Sequence, residues 1–241
     1  MWSSIDDEDS KEIGQCFAEH NNNFWYLLTR DQKNENLALS RVSHQNVCQG
    51  QIVRKSHVLI PNRSNVVIED MDMFRDVCVL YERDIDAAGA RISLLDVKNH
   101  HHDPVLLDSL PNETYVIRPA PNADFLASQV RFTCSGPSLP ATPCTFSFSS
   151  GLVSFEGSES LSSDYVTYRE HVPSKDGTLV PVTITHHKEL KCDGSNPTLL
   201  TGYGAYGVPF EIDHCVGRST LLSRGWIVAI AHVRSVLYSR K

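Results

Sequence analysis

Short apolar runs separated by polar turns recur along residues 1–157, and their lengths and spacing predict β-strands rather than helices. Three segments share one layout, in which a short strand, a polar turn and a second short strand follow one another. Two further runs rich in β-branched residues, Val66–Ile68 and Tyr115–Ile117, precede the second and third of these hairpins. The hairpin strands are predicted at Phe24–Thr29 with Leu37–Val42, Val77–Glu82 with Arg91–Val97, and Val130–Cys134 with Pro143–Phe148.

The three hairpins form an internal repeat. Their turns begin at Arg30, Arg83 and Ser135, so the spacings are 83 − 30 = 53 and 135 − 83 = 52 residues. A nearly constant period of about 50 residues, built on hairpins, is typical of β-propeller blades. A plain β-sandwich also consists of short strands and polar turns, but it does not require a regular period. The repeat favours a partial propeller, and at this period residues 1–157 supply about three blades.

The pattern changes after Gly157, where the polar segment GSESLSSD predicts a linker. Beyond it, Tyr165–Val172 and Leu179–Thr185 flank an Asp-Gly turn and predict a hairpin. The continuous apolar runs Thr198–Leu200 and Trp226–Val233 are typical of strands buried on both faces, and one or two helical turns are predicted between them at Arg218–Arg224. Residues 158–241 therefore predict the first strands of an α/β domain.

The charge and the cysteine content of the chain limit its possible binding partners and its cellular compartment. The chain has 22 basic and 29 acidic residues, a net charge of −7, which argues against binding to nucleic acid or to an anionic membrane. No apolar run approaches the length of a membrane span. The seven cysteines are odd in number and form no CxxC pair, so a reducing compartment fits best and a cytoplasmic location is predicted.

Three stretches of sequence carry a resemblance to a known family. They are DYVTYREHVPSKDGTLVPVTITHHKELKCDGSNPTLLTGYGAYG, the strand ending His232-Val233-Arg234, and the propeller-like segments VLIPNRSNVVIEDMDMF, DVCVLYER and SGPSLPATPCTFSF. Together they resemble the prolyl oligopeptidase family, which are serine peptidases whose α/β-hydrolase domain is capped by a seven-bladed β-propeller. The resemblance implies that residues 1–157 are the C-terminal part of that propeller. Residues 158–241 would be the N-terminal part of the peptidase domain.

The resemblance also implies roles for four residues. Tyr203, in the GYGAYG loop, matches the tyrosine whose hydroxyl stabilises the oxyanion, and Tyr206 matches an aromatic residue of the substrate pocket. Glu211 and Asp213 match two carboxylates of the oligopeptidase B branch, which cleaves after arginine and lysine, although the first is Glu here rather than Asp. The flanking glycines of Tyr203 are expected to permit a tight turn. Even with this match, two acids in a loop are explained equally well as solvated side chains.

The catalytic serine has no counterpart in this sequence. The nucleophile motif GxSxG is absent from the 241 residues, and in this family serine, aspartate and histidine all follow the matched region. We therefore expect a piece of a peptidase, truncated at both ends and inactive alone, so whether the 241 residues are an enzyme stays open. The resembled family implies a short peptide as substrate.

The sequence also permits two interpretations other than a peptidase, and it predicts no cofactor. A non-catalytic interaction module is the alternative function, with exposed strand edges that permit self-association, and an incomplete gene product is a third interpretation. The run Asn99–Asp103 contains three histidines but no spaced partner cluster, so it predicts a solvated loop rather than a metal site. No metal and no other cofactor is predicted.

Overall fold

Four separate four-stranded sheets contain most of the regular structure in the computed structural model. The structure describes residues 16–30, 36–84, 90–105, 115–156, 164–205 and 210–233. The predicted linker at Gly157, the substrate-pocket residue Tyr206 and most of the first two predicted turns lie outside these residues. Within them the protein is mostly β, as predicted. No helix in these ranges is long and apolar enough to cross a membrane.

The first three sheets are antiparallel meanders that follow one another along the chain. The first contains β1 (Cys16–Asn21), β2 (Phe24–Arg30), β3 (Leu37–Ser43) and β4 (His57–Ile60), with the short helices α1 (His44–Cys48) and α2 (Ile52–Lys55) between the last two strands. The second contains β5 (Val66–Met73), β6 (Val77–Asp84), β7 (Ala90–Asp96) and β8 (His102–Val105). The third contains β9 (Val116–Pro119), β10 (Gln129–Ser135), β11 (Thr142–Ser147) and β12 (Val153–Phe155).

The three predicted hairpins are confirmed as the central strand pairs of these sheets, β2 with β3, β6 with β7, and β10 with β11. The two predicted flanking strands are β5 and β9. Four of the observed strands were not predicted from the sequence: β1, β4, β8 and β12.

The second sheet is packed between the other two. Because side chains alternate across a strand, β6 contributes Cys78 and Leu80 to the core shared with the first sheet. It contributes Val79 and Tyr81 to the core shared with the third sheet. All four are at most 1% exposed. A strand buried on both faces explains why VCVLY is continuously apolar rather than alternating.

A buried carboxylate connects the loop between β4 and β5 to the second sheet. The side chain of Glu82 on β6 is fully buried, and its oxygens accept hydrogen bonds from Arg63, from Arg91 Nε (2.8 Å) and from Ser93 Oγ (2.7 Å). His102 Nε2 lies 3.7 Å from the same carboxylate. The Asn99–Asp103 run is thus more than a solvated loop, because β8 turns His102 towards Glu82. Its neighbour His100 contacts Arg41 Nη1 at 2.6 Å.

The fourth sheet has mixed topology, in the order β13, β14, β16, β15. Its members are β13 (Tyr165–Pro173), β14 (Leu179–His187), β15 (Thr198–Gly202) and β16 (Ile227–Ala231), with α3 (Val216–Leu222) between the last two. The predicted hairpin β13–β14 is confirmed, and its turn places Gly177 at φ +81°, a conformation that glycine adopts without strain. The predicted helical turns are also present, as α3.

Burial differs between the two parallel strands, β15 and β16. Val228, Ala229 and Ile230 of β16 are buried, as its apolar run predicts. The prediction is wrong for β15, whose Leu200 is 65% exposed. The reason is position: β15 is the last strand of the described sheet, whereas β16 lies between β14 and β15.

Candidate functional site

The carboxyl ends of β15 and β16 meet at one edge of the fourth sheet because the two strands are parallel. Tyr203 comes directly after β15, and His232 comes directly after β16. In open α/β sheets ligands bind in the crevice outside the carboxyl ends of the strands. A ligand-binding or catalytic site is therefore expected at this edge of the fourth sheet.

Tyr203 reaches solvent, with 42% of its surface exposed. Neither flanking glycine adopts a positive φ, so the expected tight turn is not what requires them. Gly202 is instead paired with Ala231 of β16, and a Cβ at Gly202 would lie 3.3 Å from the Ala231 carbonyl oxygen. The close approach of β16 therefore favours glycine immediately before Tyr203.

A cavity of about 410 Å³ lies between the second, third and fourth sheets. Its charged lining comes from all three: Glu69, Asp70 and Arg83 of the second sheet, Arg118 of β9, and Arg169 of β13, with Glu211 and His232 closing it. Tyr81 and Tyr115 add aromatic surface. Tyr203 and Asp213 are outside this lining, so of the predicted site residues that are described only Glu211 faces the cavity.

Glu211, which lies in the loop between β15 and α3, is held by an arginine of the third sheet. Its carboxylate accepts a hydrogen bond and forms an ion pair with Arg118 Nη2, and both side chains are about half exposed. Asp213 has a different partner, since Arg218 Nη2 donates to its carbonyl oxygen at 2.7 Å and lies 3.4 Å from its carboxylate. The two predicted carboxylates therefore each bind a guanidinium of the chain itself.

The segment that carries these carboxylates is anchored to the third sheet. The backbone N–H of His214 donates to Ser135 Oγ at 3.0 Å, and His214 Nε2 lies 2.8 Å from Ser219 Oγ of α3. Together with the Arg118–Glu211 pair, these contacts connect the loop after β15 to the edge of the cavity.

His232 is neutral at ordinary pH. Burial, together with the positive charges of Arg169 and Arg83, lowers the pKa of its imidazole to about 4. Its Nε2 lies 2.8 Å from Thr183 Oγ1. Also in the cavity lining, Arg83 Nε donates to Glu69 at 2.6 Å, and burial raises the pKa of the Asp70 carboxyl.

Arg118 and His232 are cavity residues that sequence reasoning did not assign. His232 was expected only at a strand end, which is where it lies, and Arg118 was not considered at all. Its side chain meets Glu211 across 93 positions of sequence. No local pattern encodes such a contact.

The chain is similar in sequence to known proteins over most of its length. No family model matches the chain. It is 27% identical to "Prolyl endopeptidase-like" of Pongo abelii over 223 residues, which are 90% of this chain and 29% of that protein. It is 28% identical to "Dipeptidyl aminopeptidase BI" of Pseudoxanthomonas mexicana over 181 residues, 73% of this chain and 24% of that one. The chain thus spans less than a third of these relatives.

A solved structure shares the fold. Oligopeptidase B from Trypanosoma brucei, in a closed form with covalently bound antipain, superposes with a TM-score of 0.74 at 24% identity. The match covers 92% of this chain and 32% of that one, and it includes all but a small part of the architecture described above. The chain is thus similar in sequence to a protein named prolyl endopeptidase-like, and it shares the fold of the matched part of oligopeptidase B.

Proposed function

We propose that these 241 residues are part of a serine-type oligopeptidase that hydrolyses short peptides, with oligopeptidase B as the nearest branch. In this proposal the three stacked sheets are blades of a β-propeller, and the fourth sheet begins the α/β-hydrolase peptidase domain. The cavity between these two parts is the observation that carries the proposal. His232, which directly follows β16, is part of its lining, so a peptide in the cavity would reach that end of the fourth sheet.

Tyr203 is the proposed oxyanion donor. Attack on a peptide carbonyl places negative charge on its oxygen, and a prepositioned O–H stabilises that charge in the transition state. Its exposure and its place after a parallel strand support this role. The nucleophile, the base and the orienting acid would be a serine, a histidine and an aspartate supplied by other residues of the full enzyme.

Glu211 is proposed to bind the side chain of an arginine or lysine substrate. The Arg118 pair supports this, because it shows that the carboxylate is accessible to a guanidinium at the cavity. A half-exposed ion pair contributes at most about 1 kcal/mol. A substrate guanidinium can therefore replace Arg118 at small cost. Tyr206 is proposed to line the same pocket, and Asp213 to add negative charge beside it.

In an enzyme that joins these residues to the catalytic segment, we expect Glu211→Gln to reduce kcat/KM for arginine substrates by about 10- to 100-fold. This is the scale of one hydrogen bond to a charged group. Steady-state kinetics with arginine and norleucine esters would measure it. Glu170→Gln is the matched control, since Glu170 is exposed on β13 outside the cavity lining. An equal loss for both esters would contradict charge recognition.

The polypeptide of these 241 residues alone is expected to hydrolyse no peptide or ester substrate. Without the catalytic serine, histidine and aspartate, only substrate binding and one incomplete oxyanion site remain. Purified chain would be assayed with arginine, lysine and proline substrates, with and without a serine-directed phosphonate. Turnover that co-purifies with the chain and is blocked by the phosphonate would refute this expectation.

An interaction module is the second candidate function, and the exposed edge of the fourth sheet favours it. Leu200 of β15 is 65% exposed on a strand that has no further neighbour among the described residues, and such edges promote pairing between chains. We expect the chain to self-associate in size-exclusion chromatography and Leu200→Lys to shift it towards monomer. Leu152→Lys, at a similarly exposed leucine in the loop between β11 and β12, should have no effect. A monomeric parent chain would argue against this candidate.

The cytoplasmic location stays a prediction from the cysteine content. The predicted partners, a peptide substrate and other copies of the chain, are proposals of the same standing.

A further inference from the structure

Two exposed cysteines each lie beside a histidine ring, and they differ in which ring nitrogen carries the proton. Cys48 Sγ is 3.5 Å from His44 Nε2, and Cys192 Sγ is 3.8 Å from His186 Nε2. In both cases the second ring nitrogen has a partner that determines the tautomer. The two pairs can therefore be compared within one chain.

In the Cys48 pair the histidine presents a proton to the sulfur. Trp25 Nε1 lies 3.2 Å from His44 Nδ1, and an indole nitrogen can only donate. His44 Nδ1 is thus the acceptor, and in the neutral ring the proton is on Nε2, which faces Cys48. This ring has no free lone pair with which to take the proton of the thiol.

In the Cys192 pair the histidine presents a lone pair. His186 Nδ1 lies 2.8 Å from the carbonyl oxygen of His187, and a carbonyl oxygen can only accept. The proton is therefore on Nδ1, and Nε2 is bare where it faces the sulfur. Cys192 has one alternative acceptor, the carbonyl oxygen of Leu190 at 3.9 Å.

The base of this pair is fixed, whereas the thiol is accessible. The His186 side chain belongs to a residue that is 9% exposed, and Tyr168 packs against the ring edge-on at 5.8 Å. Cys192 lies in the exposed loop after β14. A held imidazole beside an accessible thiol is the arrangement that activates a cysteine as a nucleophile.

We propose that Cys192 is a modification site, in which His186 acts as the base and the reactant is a low-molecular-weight disulfide such as glutathione disulfide. The thiol proton moves to His186 Nε2, and the sulfur attacks one sulfur of the disulfide. The S–S bond of the reagent breaks as the new S–S bond forms. Cys192 is oxidised to a mixed disulfide, and the departing half is reduced to a thiolate, which takes up a proton.

The other described cysteines provide internal references. Burial raises the pKa of Cys134 to about 12 and of Cys144 to about 11, and it also raises that of Cys78, so these three do not react in the folded chain. Hydrogen bonds from the backbone N–H groups of Arg218 and Gly217 lower the pKa of Cys215 without a histidine base. Among the cysteines whose side chains the structure describes, the reactivity of Cys192 alone should depend on a histidine base.

The test is site-resolved mass spectrometry of the 241-residue chain treated with glutathione disulfide at several pH values. We expect Cys192 to react about tenfold faster than Cys48 at neutral pH. The rate at Cys48, which has no histidine base, should rise steeply with pH, and the rate at Cys192 should rise much less steeply.

The decisive variant is His186→Asn, in which the amide can still donate to the His187 carbonyl but no basic nitrogen remains. It should slow Cys192 about tenfold and give it the pH dependence of Cys48, and His187→Asn should change neither. Protection of the three buried cysteines shows that the variant is folded. If the variant unfolds, the pH profile of the parent chain decides. Equal rates and equal pH slopes at Cys192 and Cys48, or a folded His186→Asn with unchanged Cys192 reactivity, would overturn the proposal.

Discussion

Replacing Tyr203 with phenylalanine is expected to lower kcat by roughly two to three orders of magnitude, the scale of one oxyanion donor. The reference is an enzyme that joins the 241 residues to a segment supplying the serine, aspartate and histidine. Tyr203 lies directly after β15 and is 42% exposed, so its hydroxyl is not committed to the core. Because this hydroxyl would act mainly on the tetrahedral intermediate, KM should change little.

The measurement is steady-state kinetics of both proteins on one ester and one amide substrate. Tyr168→Phe is a matched control, since Tyr168 is a similarly exposed tyrosine on β13 of the same sheet and outside the cavity lining. It should leave kcat unchanged. A change confined to KM would mean that Tyr203 binds the ground-state substrate and does not stabilise the oxyanion.

Replacing Glu82 with glutamine is expected to destabilise the chain by about 3 kcal/mol. Removing one member of a buried ion pair leaves its partners' charges without compensation, which costs about 3–5 kcal/mol. The lower figure applies because the Arg63 and Arg91 side chains remain 24% and 30% exposed. In a chain of this size the midpoint of thermal unfolding should fall by about 6–12 °C.

Glu69→Gln is the control, because Glu69 forms a surface pair with Arg83 in which both side chains are more than a third exposed. Its effect should be below about 1 kcal/mol. Equal effects of the two substitutions would contradict the role assigned to the buried carboxylate.

Acid should reduce the contribution of Glu82. Burial alone would raise its pKa, but the hydrogen bonds from Arg63, Ser93 and Arg91 outweigh burial and lower the pKa below the ordinary 4.5. The ionised side chain therefore adds stability in full above pH 4.5, and this stability is lost as the pH falls through the lowered pKa. The difference in unfolding free energy between the parent chain and Glu82→Gln should shrink over that range.

The central strands could be predicted from sequence because their signals are local. The hairpins β2–β3, β6–β7 and β10–β11 combine apolar strands with polar turns, and Asp176-Gly177 marks the β13–β14 turn. The strands β4 and β8 have four residues each and β12 has three, which is too short for a periodic pattern; the equally short β9 was predicted from its run of aromatic and β-branched residues. Leu200 shows a further limit, because the apolar content of a strand does not reveal whether a neighbour covers it.

The candidate site was less predictable, because its contacts join residues that are far apart in sequence. Tyr203, Glu211 and Asp213 could be named from a resemblance within one stretch of sequence. Arg118, the partner of Glu211, could not be named, because it belongs to another sheet, and the same holds for most of the cavity lining. The buried carboxylate Glu82 was likewise assigned only to a strand. Its hydrogen-bond donors are Arg63, in the loop before β5, and Arg91 and Ser93 on β7.

The most direct test of the proposed peptidase site is a crystal structure of the joined enzyme with a peptide aldehyde that ends in arginine. The account predicts a covalent adduct whose oxygen lies about 2.7–3.1 Å from the Tyr203 hydroxyl, the range for an oxyanion donor. It also predicts that the inhibitor's guanidinium binds Glu211 in place of Arg118. An adduct oxygen out of reach of Tyr203, with the Arg118–Glu211 pair intact and the arginine elsewhere, would contradict it.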